Sequence, residues 1–508
     1  MTLKRTIMNS LISVVLAVVF WIPNAASATD TVRVAIRALP ASLGNPLTSV
    51  GQPASETWGA IFDALTFIDS TGVLQPALAT SWEPTSATQW VFHLRRNVRF
   101  QNGEMFDANA VIHTVQILQS TLGHTYFVSS EVAGITAIRA VDPYTLEIAT
   151  AQPDAILPKR LNIVMIVAPR AWDTLGPNGF SQRPIGTGPF QLQDWSEGQT
   201  RARLTAYEQS WRAPRLKALE LWVISDSVAR LQSLLAGNVD IAMGLGPDDL
   251  SQLPKDLFDS YVVQTAAVFA IALRNVGNPA SPLQDARVRR ALNYAVNVQQ
   301  IADVIFGGTI KPASQGAQPN TWGYNPDLTP YGYDPAHARQ LLAEAGYPRG
   351  FSLNIDVLTG FAAGDDTLYQ KVAEDLAKVG VRVTLRAIPY SRWLQKYTSG
   401  AWGDTDGFSA RWDSGAYYDS IRAITAASCA KVNPFFCVPS IMSEIDNSGR
   451  IFDQGARKQH LQAIMAQLKE IAPAIWLVPS IAYVGMTTKV KDFHAREQSI
   501  SYDLLSLQ

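Results

Sequence analysis

The sequence predicts an α/β protein whose strands fall into two separate sheets, one in each of two lobes, and three observations carry that expectation. The chain has 508 residues, more than the roughly 100–200 that one domain ordinarily holds, so two or three domains are expected. A strand–helix–strand pattern runs from Arg203 to Met243 and recurs from Phe351 to Leu385, and each occurrence calls for a crossover and a parallel or mixed sheet. Near the C-terminus, Ala474 to Val484 reads as one more strand, and a return to the first sheet there makes two lobes joined by two crossings.

Composition narrows the function classes. Lys and Arg total 42 against 43 Asp and Glu, a net charge of −1, which offers no basic footprint for nucleic acid. Hydrophobic residues make up 47% of the chain, and Pro and Gly are dispersed, so disorder, collagen and low complexity are excluded. No internal repeat is visible.

At the N-terminus Lys4 and Arg5 precede an apolar run, Leu11 to Ile22, that ends in Ala26-Ser27-Ala28. This is the pattern of a secretory signal peptide over residues 1–28, cut before Thr29. The run of 12 residues is short of the roughly 20 that a membrane-spanning helix needs. No Cys lies near residue 28, so a lipid anchor is not expected. The only cysteines, Cys429 and Cys437, are close in sequence, and in an exported chain they are expected to form a disulfide around a small loop rather than a metal site.

Val32, Val34 and Ile36 alternate with polar residues as a half-buried strand, and Trp90, Phe92 and Leu94 do the same. Val111, Val115, Ile117 and Leu118 have helical spacing. Strands are expected at 203–207 and 219–224, then a helix over 228–236 stopped by Gly237, then a strand from Val239. Phe269 to Arg274 reads as a strand and Asp285 to Val304 as one helix. Asp334-Pro335 opens a helix that Gly346 closes. Leu368 to Val379 is expected to be a helix between two alternating strands, with Gly380 as its cap.

Catalytic fingerprints are absent: there is no Gly-x-Ser-x-Gly, His-Glu-x-x-His, Gly-x-x-x-x-Gly-Lys-Ser/Thr or Gly-x-Gly-x-x-Gly, and the six histidines are spread singly. One concentration stands out. Residues 390–420 hold Tyr390, Trp393, Tyr397, Trp402, Phe408, Trp412, Tyr417 and Tyr418, interleaved with Asp404, Asp406, Asp413, Asp419, Arg392, Lys396 and Arg411. Aromatic walls with a few fixed charges are what a ligand cleft needs, while an aromatic layer beneath loops is the plainer alternative. For a ligand with an amino group, Asp413 is the expected partner, because Trp412 and Tyr417 beside it would exclude water.

Several stretches resemble a known family. Gly72 to Trp82, Trp90 to Arg95 and Val98 to Gly103 resemble the N-terminal signature of the family 5 extracellular solute-binding proteins, the peptide- and nickel-type receptors of bacterial ABC importers. The resemblance continues at Gly186-Thr187-Gly188-Pro189-Phe190, at Asp285 to Ala295, at Trp322-Gly323-Tyr324, and at Tyr333-Asp334-Pro335 through Ala345-Gly346. It implies a two-lobed periplasmic binding protein fold, α/β with mixed sheets, two hinge crossings and an extra subdomain in the first lobe. The expected division is 29–270 for the first lobe with a subdomain at about 60–185, 271–475 for the second, and 476–508 returning to the first.

The implied function is a monomeric, non-enzymatic periplasmic receptor without a cofactor. It would capture a small peptide or similar polar solute and deliver it to an ABC permease in the inner membrane. An opine, a sugar conjugate or a metal chelate is the alternative ligand; a periplasmic hydrolase or a chaperone-like holdase is a remote one. The family's peptide binders commonly hold the ligand's amino terminus with an Asp in a Trp-x-x-Asp-like stretch. The matching stretch here runs from Ala410 to Asp419, with Asp directly after Trp, so that either Asp413 or Asp419 faces the cleft. Around Asp413 and Trp412, the expected supporting residues are Arg411, Trp393, Tyr390, Tyr417 and Asp419, with Leu43 and Asn275 in a second tier. Bare nickel is not expected, since no His falls between 338 and 459.

Overall fold

The computed structural model of the chain describes residues 30–358, 365–496 and 499–508; the expected leader at 1–28 lies outside them. The α/β, two-lobed architecture is present, but the strands expected in two separate sheets are joined into one sheet of ten. From edge to edge these are Arg382–Ala387, Ser352–Val357, Gly407–Asp413, Phe258–Leu273, Ala474–Thr487, Ile241–Leu245, Thr31–Ile36, Ala218–Val223, Arg201–Ala206 and Phe190–Trp195. The joining is done by the two longest strands, Phe258–Leu273 and Ala474–Thr487, which pair antiparallel and pass from one lobe into the other. The sequence shows only part of the first: its lobe I half is largely exposed, whereas Thr265 to Leu273 is buried throughout and reads as a strand by itself.

The ladder between these two strands slips between Gln264 and Val268, opposite Pro479 to Ile481. Pro479 has no N–H to offer the ladder. Side chains take up the acceptors that the slip frees: Thr265 Oγ1 donates to the Ser480 carbonyl at 2.6 Å, and Gln318 Nε2 donates to the same carbonyl at 3.0 Å and to that of Ala267. Both crossings therefore carry their irregularity at the same level, midway along the sheet.

Strand direction places the open ends. Thr31–Ile36 is parallel to Ala218–Val223 and to Ile241–Leu245, and this set runs toward the slip, with Leu245 opposite Tyr483. Ser352–Val357, Arg382–Ala387 and Gly407–Asp413 are mutually parallel and approach it from the other side, with Asp413 opposite Ala267. The carboxyl ends of both sets face each other across the hinge.

Local chemistry fixes the helices. Asp107, Asp226, Asp285, Asp334 and Asp453 each accept a backbone N–H at the start of a helix. The segment expected as one helix, Asp285 to Val304, is two, Ala286–Ala295 and Val298–Ile305. Val296 is extended, and the Asn297 side chain accepts from the Gln300 N–H to start the second helix. In the first, the buried Arg289 donates to the carbonyls of Leu283, Gln284 and Ile471, and Asn293 donates to Ala474 O and accepts from Trp476 N–H, which locks the helix onto a crossing strand.

Between Ala54–Ile61 and Phe190 a four-stranded antiparallel sheet is inserted, in the order 79–86, 89–94, 145–150 and 135–142. Its Phe92, Leu146 and Ile148 share one core with Val32, Ile61 and Phe190. Gly186 and Gly188 permit that joint: a Cβ on Gly186 would stand 2.1 Å from the Ile61 carbonyl oxygen, and one on Gly188 2.5 Å from its carbon. No helix among the described residues is long and apolar enough to cross a membrane.

Candidate functional site

In open α/β sheets, ligands bind in the crevice beyond the carboxyl ends of the strands. Here two such crevices coincide, because both sets of carboxyl ends meet at the hinge. The loops that enter it follow Ile36, Val223 and Leu245 on lobe I, and Ala387 and Asp413 on lobe II.

The lobes touch through a chain of polar contacts. Lys159 of the inserted subdomain places Nζ 3.0 Å from Asp419 Oδ2 on lobe II. Arg457 grips the same carboxylate with Nη1 at 2.6 Å and Nη2 at 3.0 Å. Burial pushes the Asp419 carboxyl up, but Lys159 and Arg457 more than offset this and hold it below the ordinary carboxylate value. Asn162 Nδ2 donates to Ala416 O at 2.6 Å, and the Ala155 N–H to Gly449 O at 2.8 Å. The Tyr417 hydroxyl hydrogen-bonds Glu131 of the subdomain; burial first, then the Glu131 charge, raises its pKa. Arg160, ion-paired to Asp154 at 3.1 Å, lies 3.7 Å from Glu131. Apart from this chain, Trp90 stacks on Phe452 with ring centroids 5.9 Å apart.

The residues singled out in the sequence are distributed as follows. Asp413 ends the strand Gly407–Asp413; its Oδ1 accepts the Gly415 N–H at 2.7 Å, and its backbone carbonyl accepts from Arg422 Nη1 at 3.0 Å. Burial lowers the pKa of the Arg422 guanidinium, and Asp413 first, then Tyr417, Glu131 and Tyr397, together bring it above its ordinary value. Trp412 faces the other side of the sheet, packed edge-on against Trp476 at 4.7 Å, with Gly316 against both rings. Arg411 is on the same face as Asp413 by strand alternation, and its Nε is buried without a hydrogen-bond partner. Leu43 is buried in the segment that follows Ile36, its carbonyl accepting from Trp58 Nε1 at 2.6 Å.

Two candidates lie elsewhere. Asp419 is fully buried, its carboxylate committed to Arg457 and Lys159. Asn275 follows the far end of Phe258–Leu273, where its side chain bonds the Cys437 backbone on both sides. Cys429 and Cys437 are joined by a disulfide.

Much of the aromatic concentration is core. Tyr390, Trp393 and Tyr397 lie along the helix Tyr390–Ser399, where Trp393 stacks on Tyr397 at 4.8 Å; Trp402 stacks on Phe408 at 4.1 Å, and Phe408 meets Phe435 at 4.8 Å. Tyr390 remains half exposed at the helix start, beside the crevice. The accompanying carboxylates also have structural partners: Asp406 accepts the Asn354 N–H and Asp404 pairs with Arg386.

A cavity of about 160 Å³ lies where the loop carrying Gly415, Ala416 and Tyr418 rests on lobe I against Trp58, Phe62 and Met165. Sites for whole small molecules run to roughly 300–1,000 Å³, so with the lobes in contact this space takes a group rather than a whole peptide. At its rim, Asp63 accepts from Thr187, Trp211 and Arg212 at 2.6–2.9 Å. Neither these nor the interlobe partners Glu131, Lys159 and Asn162 stand out in the sequence, because each is an isolated polar residue.

Residues 73–431 match the family described as bacterial extracellular solute-binding proteins, family 5 Middle. The chain is 29% identical over 338 residues to the heme-binding protein A of Haemophilus influenzae, an alignment covering 61% of each. It is 24% identical over 452 residues to the dipeptide-binding protein of Escherichia coli, covering 82% of this chain and 83% of that one. Among solved structures, the dipeptide-binding protein of Pseudoalteromonas sp. SM9913, in complex with Met-Leu, superposes with a TM-score of 0.82 at 19% identity, over 94% of this chain and all of that one. AgaA of A. tumefaciens R10, in complex with agropinic acid, gives 0.80 at 21% identity, over 94% and 99%. At these identities the structural likeness is one of fold.

Proposed function

Because the chain belongs to the bacterial extracellular solute-binding proteins of family 5, we propose that it is the periplasmic receptor of an ABC importer, capturing a small peptide or similar polar organic solute between its lobes and handing it to the permease without chemical change. The observation that carries this reading is the facing of two sets of strand carboxyl ends across a hinge of two crossing strands. The loop from Asp413 to Tyr417 is the lobe II wall of the site, with Arg411 and Tyr390 at its edge and the loop before Leu43 opposite. Trp412 and Trp393 act from beneath as the packing that positions this wall. The export leader at 1–28 and a monomeric state belong to the same proposal.

Native mass spectrometry of protein isolated from the periplasm without refolding, followed by denaturing release, tests it. The expected result is a small molecule released intact. Re-added at 100 times its Kd, that molecule raises the apparent stability by about 2.7 kcal/mol. Turnover of the molecule during incubation would instead make the protein a hydrolase.

A further inference from the structure

The inserted subdomain belongs to lobe I by its packing and yet reaches into lobe II. Its Phe92, Leu146 and Ile148, with Val164 and Ile166 after them, share one core with Val32 and Phe190. The segment that follows its last strand, 154–163, is tied to the same side: Trp90 Nε1 donates to Asp154 O at 3.0 Å, and Thr66 Oγ1 to Pro158 O at 2.7 Å. From this anchored segment Ile156, only 2% exposed, enters the helical core of lobe II among Ile421, Ile424, Ile445, Leu461 and Met465. Beside it the Ala155 N–H, Asn162 and Lys159 reach Gly449 O, Ala416 O and Asp419.

The way the charges are paired lets these contacts break without stranding an ion. If the lobes part, Asp419 keeps both hydrogen bonds from Arg457, a residue of its own lobe, at 2.6 and 3.0 Å. Glu131 keeps Arg160 of its own subdomain at 3.7 Å, and Arg160 keeps Asp154 at 3.1 Å. Separation therefore returns Lys159 and the Tyr417 hydroxyl to water and avoids the large cost of leaving a buried charge uncompensated. What opening gives up is the burial of Ile156 and a few hydrogen bonds that water replaces. The contacts also fall on the ligand wall, since Asn162 and Glu131 hold Ala416 and Tyr417 of the loop that follows Asp413.

We infer that the inserted subdomain is a latch: Ile156, Lys159 and Asn162 hold lobe II closed on lobe I, fix the loop after Asp413 in its closed position, and set the share of closed molecules before any ligand arrives. These are positioning residues, acting through the wall rather than on the ligand. The inference rests on the receptor reading for its purpose, while its mechanics belong to the two lobes alone.

The test uses the mature chain freed of small molecules by dialysis, with spin labels on cysteines placed at the exposed Glu83 of the inserted sheet and the exposed Gln370 of lobe II. Pulsed dipolar spectroscopy reads the closed and open distances as populations. The expected result is a closed population in the unliganded parent and a closed-to-open ratio at least about tenfold lower in Ile156→Ala and in Lys159→Met. Lys159→Arg, which keeps the charge facing Asp419, restores part of the ratio. Urea midpoints show that the variants fold, and where one does not, the other decides. A parent that is wholly open, or ratios unchanged in the folded variants, overturns the latch and leaves the receptor reading intact. Failure of the receptor reading shows separately, in a protein that consumes its small molecule or releases none, and leaves the distances as they are.

Discussion

Replacing Asp419 by Asn removes one charge from a buried cluster while keeping its shape. The Asp419 side chain has no exposed surface and that of Arg457 only 1%, and two hydrogen bonds of 2.6 and 3.0 Å join them. In the variant, the Arg457 guanidinium stays buried beside a neutral amide, held otherwise by the Ser448 carbonyl at 2.9 Å. Breaking a buried pair from one side costs about 3–5 kcal/mol, because the remaining charge is neither solvated nor compensated. Arg457→Met is expected to cost less, since Lys159 still faces the carboxylate at 3.0 Å. The double variant Asp419→Asn with Arg457→Met should cost less than the sum of the two, the stranded charge having been removed.

Urea unfolding followed by tryptophan fluorescence measures each difference, read on the transition of lobe II if the lobes unfold apart. The pH dependence supplies an independent check. The folded carboxyl titrates below its unfolded value of about 3.9, so its contribution is complete above that value and is lost as pH falls through the folded one. The Asn penalty should therefore be constant from about pH 5 to 8 and shrink below about pH 4. A penalty under about 1 kcal/mol at neutral pH would mean that the pair is solvated like a surface ion pair, and the reasoning would fail.

Three further outcomes follow from the same geometry. Burial pushes the Glu56 carboxyl up to about 8 against the pull of Arg230 and Arg37, so it favours the fold while protonated. Stability from this group is full below about pH 4.3 and declines as pH rises through about 8; Glu56→Gln should flatten that decline in urea midpoints measured between those limits. A methyl group on Gly316 would stand 2.4 Å from Trp412 Cδ1 and 2.8 Å from Trp476 Cη2, so Gly316→Ala should cost about 1–3 kcal/mol and alter the near-ultraviolet circular dichroism of the two rings. The disulfide closes a loop of sequence separation 8, and replacing both cysteines by Ser should lower stability by about 2–3 kcal/mol, measured by urea unfolding in the absence of reductant.

Helix starts were legible because their chemistry is local. Asp334 lies three residues from the N–H it caps, and Gly346 and Gly380 adopt the left-handed backbone expected of glycine after a helix. The break at Asn297 was missed because an apolar periodicity runs through it, and the competing side-chain cap is visible only when the backbone is seen to turn. The strand Gly407–Asp413 was hidden inside the aromatic concentration, since alternation of Phe408 and Trp412 with Ser409 and Arg411 looks like a cleft until the rings are found packed on Phe435 and Trp476.

By itself the sequence determined the lobed α/β architecture and the family, because each rests on patterns a few residues long repeated in order. Only the tertiary structure decided what the two candidate carboxylates do. Asp413 and Asp419 are six residues apart and equivalent in composition, yet one ends a strand at the crevice and the other is fully buried. What separates them is contact with Lys159, 260 residues away in the chain, and with Arg457, 38 away. Burial and charge pairing are set by the closure of distant segments upon each other, and no spacing in the local sequence encodes it.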